Sequence, residues 1–453
     1  MIAIIGGGIS GLAAAYELTR RNHPFTLFEA DRRLGGLIRT EHERGYTIEA
    51  GADSMLVQKR AALQLCEELG LAPHLLSVTP PRTAFVLHAG RLHPLPAGSW
   101  LGIPSTWRSL ASYTLLPPAA RARMAVEPFV RARRNDGDES VADFFARRFG
   151  STTVDLLAQP LLGGIHAGDV RALSVRALFP RLVEAERAGS VLRWAHGTAR
   201  SRTAEGAFRS PPGGMSDLAN ALHARLPPDT VRCGEAVHAI ERHADGWNVA
   251  TDRTAASVRA VILACPAFAA ASLLSPLDPD AAAICRDVPY VSTVSIALAW
   301  PRDAVAHPLS GSGFVVARAS NPVRITACTW VSSKWERRAP AGHVLLRAYL
   351  GGAHDPAAVD LDDDTIIEVV VRELSAILSI IGAPLFARVY RWRHRGAQHT
   401  VGHVARIAEL QRRLSRQQGV FVTGSGFRSI GIPDCIGDGR AVAAEASAFA
   451  YAN

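Results

Sequence analysis

Six residues near the start of the chain, Gly6-Gly7-Gly8-Ile9-Ser10-Gly11, carry glycines at the spacing GxGxxG. Each glycine answers a separate steric need: a tight turn at Gly6, close approach of backbone to a bulky anion at Gly8, and close packing of the following helix at Gly11. The anion that suits such a loop is a pyrophosphate, because free N–H groups at a helix start face it along the positive end of the helix dipole. Glu29 stands 18 residues beyond Gly11. A carboxylate there can accept hydrogen bonds from both hydroxyls of an adenosine ribose and would repel a 2′-phosphate. Arg33-Leu34-Gly35-Gly36-Leu37 follows at once, an RxGG element that domains binding only a nicotinamide dinucleotide lack. A second glycine-rich cluster, Gly424-Ser425-Gly426-Phe427 with Gly431-Ile432-Pro433-Asp434-Cys435-Ile436 and Gly439-Arg440, lies near the C-terminus, where glycines allow backbone to approach a planar ring.

Short elements must hold these loops. Ile2–Ile5 reads as a buried strand, Ser10–Arg21 as a helix rich in Ala and Leu, and Phe25–Phe28 as a strand ending at Glu29, which makes a βαβ unit. From Gly98 to Gly189 the pattern is mostly helical and includes an amphipathic segment Val141–Phe149. Strand-like runs return from Val231, at Val237–Ile240, Trp247–Ala250, Val258–Cys265, Thr293–Trp300, Gly313–Ala317, Arg324–Val331 and Val344–Leu350. Leu361–Ile381 reads as a helix, Val420–Thr423 as a last strand, and a helix is expected to begin near Gly439.

Composition narrows the classes. With 453 residues, 48% hydrophobic and 20% charged, the chain is globular and long enough for two or three units. The net charge of +9 suits an acidic small molecule or an anionic membrane surface, while scattered arginines without a binding motif exclude nucleic acid. Only Lys59 and Lys334 are lysines, a bias that matches a GC-rich genome. The densest basic stretch, Arg121–Arg134, reads as a solvated helix face or a docking surface for an anionic bilayer. Six cysteines show neither CxxC nor zinc spacing and read as reduced thiols, and no metal site is expected. No signal peptide or membrane-spanning stretch is expected, which suggests a cytoplasmic location, with or without peripheral contact with the inner face of the cell membrane.

The motifs resemble those of the FAD proteins related to monoamine oxidases and phytoene desaturases, and most closely the porphyrinogen oxidases of haem biosynthesis. The resemblance rests on the RxGG element and on Pro160-Leu161-Leu162-Gly163-Gly164-Ile165-His166-Ala167-Gly168-Asp169 with Leu173-Ser174 and Phe179-Pro180. It rests further on Cys328-Thr329-Trp330-Val331-Ser332-Ser333-Lys334-Trp335 with Arg338-Ala339-Pro340, and on the C-terminal glycine cluster. It implies that RxGG backs the pyrophosphate and flavin, that Gly51-Ala52-Asp53-Ser54 lies beside the isoalloxazine, and that Gly431 to Asp434 meet the ring edge. Val237 then opens the strand whose backbone recognises adenine, or is simply a core valine, and Trp392 neighbours the flavin. No cysteine lies between Gly424 and Ile432, so FAD is expected to bind non-covalently.

Two departures stand out. Ala397-Gln398-His399-Thr400-Val401-Gly402-His403 replaces the family's Pro-Gln-Tyr before Val-Gly-His, and Ala84 precedes Phe85 where the family often has a basic propionate anchor. Arg82 is the nearest basic residue, an anchor or a surface arginine; Gly164, His166 and Trp330 complete the tentative substrate contacts, with His166 alternatively a structural histidine. No side-chain base is assigned, since flavin oxidases draw most of their reactivity from the ring.

The fold expected is α/β, α+β overall: a Rossmann-type FAD-binding domain from residues 1–79, 205–290 and 418–453, an interleaved mixed-sheet substrate domain from 80–97 and 291–417, and a helical insertion 98–204. The activity implied is oxidation of a porphyrinogen in three two-electron steps with O2 as acceptor and H2O2 as by-product, with protoporphyrinogen IX favoured and coproporphyrinogen III the alternative. More distant alternatives are another amine-oxidase-type oxidoreductase and a non-catalytic FAD- or porphyrin-binding protein. Product hand-over to a ferrochelatase is implied as well, and monomer and homodimer stay open.

Overall fold

The structure, a computed structural model, describes residues 1–135, 137–199, 206–244, 246–318, 321–428 and 430–451. Strand β1 (Ile2–Ile5), helix α1 (Ile9–Arg20) and strand β2 (Phe25–Glu29) open the chain as the sequence predicts. All four β1 side chains are buried, as a central parallel strand covered on both faces requires. The parallel sheet runs Val231–Cys233, β2, β1, Ala260–Leu263, Val420–Val422, so both ends and the middle of the chain build it. Leu12, Ala13, Ala14, Ala15 and Leu18 pack α1 onto this sheet.

The C-terminal helix spans Ile432–Tyr451 and does not begin near Gly439. The glycines that look like a helix break are a contact surface: a Cβ on Gly439 would lie 2.3 Å from Ser10 O of α1. A mid-helix glycine costs about 1 kcal/mol against alanine, which close packing of two helices offsets here. The helix therefore points its N-terminus from Ile432, one and a half to two turns earlier than expected.

A seven-stranded mixed sheet has the order Phe386–Ala397, Tyr290–Pro301, His343–Gly351, Ala327–Trp330, Gly313–Val316, Ala84–His88, Arg91–Pro94. Its long edge strand Phe386–Ala397 is unmarked in the sequence because arginines interrupt the apolar alternation. Their charges are taken up off the strand, Arg388 by Glu43, Arg391 by Asp363 and Arg393 by Asp360.

Between Trp107 and Ala199 lie short helices, among them Val141–Phe149, Pro180–Arg187 and a π-helical run Val154–Gly163, around a separate core that includes Phe144, Phe145, Phe149, Leu157, Leu162 and Leu182. The expected boundary at 204/205 lies outside the described residues. All six cysteines are free, and among the described residues no helix is long and apolar enough to cross a membrane and no His, Cys, Asp and Glu cluster could hold a metal.

Candidate functional site

The N-terminal loop forms a cradle whose walls are closed everywhere but one. A Cβ on Gly6 would lie 2.7 Å from Ala264 O, and on Gly11 1.9 Å from Gly6 O, whereas a Cβ on Gly8 meets nothing within 4 Å. The open place is the helix start, with Ile9 and Ser10 in the first turn of α1. Glu29 closes one end: its carboxylate accepts hydrogen bonds from Gly7 N at 2.6 Å and Asp31 N at 2.8 Å. Glu235 N donates to Glu29 O at 3.0 Å, which sets Val237, the first residue of the strand Val237–His243, just past the acidic strand end.

The RxGG loop folds back over the cradle. Gly35 N donates to Gly7 O at 2.9 Å, and a Cβ on Gly36, at φ +57°, would press on Gly8 Cα. Arg33 donates to the carbonyls of Leu34, Gly36 and Ile38, so its guanidinium shapes this loop. Leu37 leads directly to the second half of the site: a Cβ on Gly51 would lie 1.9 Å from Leu37 O and 3.4 Å from the Trp392 ring. Trp392 Nε1 donates to Ala50 O at 3.0 Å. The turn Gly51-Ala52-Asp53-Ser54 and Trp392 thus share one place, next to the glycine cradle.

Asp53 is held by charge. Ser54 Oγ donates to it at 2.7 Å, Lys334 Nζ at 2.8 Å, and Arg347 stands 3.8 Å away. Burial opposes ionisation, but Lys334 and Arg347 outweigh it and hold the carboxyl well below the usual range. Beside it, burial pushes Glu49 up to about 7 although Met215 N and Thr40 Oγ1 donate to it. Asp434, in the first turn of the C-terminal helix beside Gly431, Ile432 and Pro433, is paired with Lys59. Both lysines of the chain are therefore at the site. Their rarity was the signal in the sequence that composition alone explained away; Glu49 and Arg347 had no such mark.

The tentative substrate residues separate. Gly164 is exposed beside Ile165, whose side chain is 65% exposed, and His166 O accepts from Gln398 Nε2 at 2.9 Å. Trp330 is withdrawn from this group: it is fully buried on the core face of the seven-stranded sheet, against Phe85 and His307. Side chains alternate along a strand, so Thr329 takes the other face, opposite Arg347. Arg82 is exposed and donates to Val78 O at 2.9 Å. An exposed guanidinium is worth little, so Arg82→Ala is expected to raise KM by at most about five-fold, below about 1 kcal/mol, with kcat unchanged and the effect fading in salt. A large fall in kcat at constant KM contradicts any anchoring role.

The altered motif His399-Thr400-Val401-Gly402-His403 forms a clasp. The two imidazoles stack at 3.8 Å; His399 Nε2 bonds Ser425 O at 2.9 Å and His403 Nε2 bonds Phe427 O at 2.6 Å, so both tie down the C-terminal glycine turn. Burial, then the neighbouring His403, lowers His399 to about 3, and burial, then Lys59, lowers His166 to about 4. Both folded values lie below the ordinary 6.5, so the unfolded chain binds more protons in between and stability falls as pH drops below about 6.5. Each histidine contributes up to about 1.4 kcal/mol per pH unit there. Glu49, raised from 4.5 to about 7, acts with the opposite sign and offsets one of them. A lower Tm at pH 5 than at pH 7 is the expected melting result, and an unchanged or higher Tm contradicts it.

What decides the family is how far its likeness extends. The sequence model of the family described as flavin containing amine oxidoreductase matches residues 9–447, from the last residues of the N-terminal glycine loop through the whole C-terminal glycine cluster. Coproporphyrinogen III oxidase of Bacillus subtilis is 36% identical over 99% of this chain and 98% of its own length. The chain belongs to the flavin-containing amine oxidoreductases, among the porphyrinogen oxidases. Coproporphyrinogen III oxidase of Staphylococcus aureus is 31% identical, covering 98% of each chain. A crystal structure from Exiguobacterium sp., provisionally assigned as a protoporphyrinogen oxidase, superposes with a TM-score of 0.86 at 30% identity over 98% of both chains. The protein is thus an FAD-dependent oxidoreductase of haem biosynthesis, and the fold class matches. The cradle fits this cofactor: the one open glycine wall at Gly8, the acidic strand end at Glu29 and the aromatic-lined turn at Gly51 are what a pyrophosphate, a ribose and a flat ring need. Cys435 is buried with its thiol pushed up to about 12, unsuited to covalent attachment.

Proposed function

We infer that this protein oxidises coproporphyrinogen III to coproporphyrin III, in three two-electron steps with O2 as acceptor and H2O2 as by-product. The observation that carries the substrate is end-to-end likeness at 36% and 31% identity to two enzymes named for coproporphyrinogen III. The expectation of protoporphyrinogen IX gives way to its alternative accordingly. A tetracarboxylate also suits a chain of net charge +9.

FAD, when bound, supplies the hydride acceptor. The chain's residues would do the rest: amides of the Gly6–Gly11 loop would hold the pyrophosphate, Glu29 the ribose hydroxyls, and the Gly51–Ser54 turn with Trp392 would orient the ring. Gly431, Ile432 and Pro433 would meet the ring edge at the start of the C-terminal helix, whose positive end would favour added electron density there. Gly164 and His166 lie on the turn we assign to the substrate side, and Arg82 reaches at most one propionate at the rim. Anaerobic mixing with each porphyrinogen tests this reading. Bleaching of flavin absorbance with porphyrin fluorescence is expected faster with coproporphyrinogen III; faster bleaching with protoporphyrinogen IX overturns the substrate, and none with either overturns the function.

Peripheral docking of a cytoplasmic protein on an anionic bilayer is a second reading, favoured by the helical insertion's surface. Trp107, Val126 and Phe129 are 63%, 48% and 82% exposed there, with Arg108, Arg131 and Arg134 exposed on the same insertion. Arg121–Arg134 is not one helix face: the helix ends at Ala125, and Arg123 donates to the carbonyls of Arg147 and Arg148. Co-sedimentation with anionic liposomes at low salt, weakened at moderate salt, is expected. Absence of binding at low salt removes this reading.

A further inference from the structure

The stretch Glu49–Gly51, which leads into the turn beside the flavin place, is held by side chains as well as by backbone pairing at Glu49 and Ala50. Three adjacent strands of the seven-stranded sheet each send one donor to its carbonyls. Arg347 Nη1 donates to Glu49 O at 2.7 Å and Gly51 O at 2.9 Å; Ser295 Oγ and Trp392 Nε1 both donate to Ala50 O, at 2.6 and 3.0 Å. Ala297 pairs with Arg347 and Thr293 with Trp392 in register, which puts all three donors on one face of the sheet. Arg347 is 4% exposed and its Nε donates to Tyr349 Oη at 2.6 Å. Lys334 holds Asp53, two residues beyond Gly51 in the turn.

Leu345, two residues before Arg347 on the same face, packs as an ordinary apolar side chain. Burying a guanidinium in place of such a residue is costly, and apolar replacements of buried charges often stabilise proteins, so stability alone is a poor reason for this arginine. Its guanidinium serves different partners from different nitrogens, Nη1 the carbonyls of Glu49 and Gly51, Nε the Tyr349 hydroxyl, with Nη2 3.8 Å from Asp53, which a lysine's single ammonium does not do. Arg347, Glu49 and Asp53, with Leu345, Trp335 and Arg338, line a small cavity of about 10 Å³, room for one water.

We propose that Arg347 is a positioning residue for the flavin, setting the Gly51–Ser54 turn against the ring, with Ser295 and the Lys334–Asp53 pair as its supports. The inference rests on FAD binding and not on which porphyrinogen is oxidised. Its readouts come from resting holoenzyme without substrate, so its failure and that of the substrate reading are distinguishable. Arg347→Met is expected to raise the FAD dissociation constant at least ten-fold, change the shape of the bound flavin's visible spectrum and shift its reduction potential, with Arg347→Lys intermediate. Where Arg347→Met does not fold, Ser295→Ala decides: a spectral change in the same direction with a two- to five-fold weaker FAD affinity supports the proposal. Unchanged FAD affinity, spectrum and potential in the folded variants overturn it, as does a loss of thermal stability alone.

Discussion

Replacing Gly8 by valine is expected to yield a folded protein that purifies almost free of FAD. Gly8 has φ −68° and ψ 179°, extended backbone that any residue adopts, and no protein atom lies within 4 Å of a Cβ there. The added isopropyl group therefore costs the fold little and occupies the place we propose for the pyrophosphate. Losing two or more charge-assisted hydrogen bonds at about 1.5–3 kcal/mol each corresponds to a loss of more than a hundred-fold in affinity. Gly11→Val is the contrast, since its Cβ meets Gly6 O at 1.9 Å and the loop itself must break. Flavin absorbance per protein and far-UV circular dichroism separate the two: colourless and native for Gly8→Val, colourless and unfolded for Gly11→Val. A yellow Gly8→Val protein with full FAD content is incompatible with this cradle.

The largest stability effect is expected far from the flavin, in the helical insertion. Glu127 and Arg148 form an ion pair with both side chains wholly buried. Glu127 also accepts from Ser190 Oγ at 2.6 Å, Val191 N at 2.9 Å and Leu192 N at 3.2 Å, so the same carboxylate satisfies the first amides of the helix Val191–Ala199. Glu127→Ala takes the nearer counter-charge from a buried guanidinium, leaving only Glu186 at 3.7 Å, and leaves a helix start without its cap. A cost of about 3–5 kcal/mol is expected, read as a fall in the urea midpoint. Arg148→Met should cost a similar amount, and the double variant clearly less than the sum, because neither charge is then left alone. Two single variants within 1 kcal/mol of the parent protein, on the order of an exposed pair's worth, contradict a structural role for the pair.

How much of the site could be read in advance follows the range of the interactions. Gly6 to Gly11, Glu29 and Arg33 to Leu37 are legible because each answers a local demand: positive φ at Gly6, Gly35 and Gly36, a helix packed on a strand, an acid at a strand end. Ile2–Ile5 and Val141–Phe149 are legible for the same reason, since burial on both faces or on one stripe writes itself into the side-chain pattern. Trp330 shows the limit. Its motif is plain, yet one residue's phase along a strand sends Trp330 into the core and Thr329 to the face of Arg347, and the paired strand His343–Gly351 settles that phase.

By itself, then, the sequence determined the dinucleotide cradle and most of the alternation of strands and helices, products of backbone sterics and short-range periodicity, while the flavin motifs were legible through their resemblance to a family. Only the tertiary structure decided the rest. Lys334 reaches Asp53 across 281 residues and Arg347 reaches Gly51 across 296, and no local pattern announces a charge whose partner arrives from another strand. Gly439 lies inside the helix that starts at Ile432 and packs against Ser10, a contact between opposite ends of the chain. Whether a glycine breaks a helix or lets two helices touch depends on whether a neighbour is there, and that is a property of the folded protein.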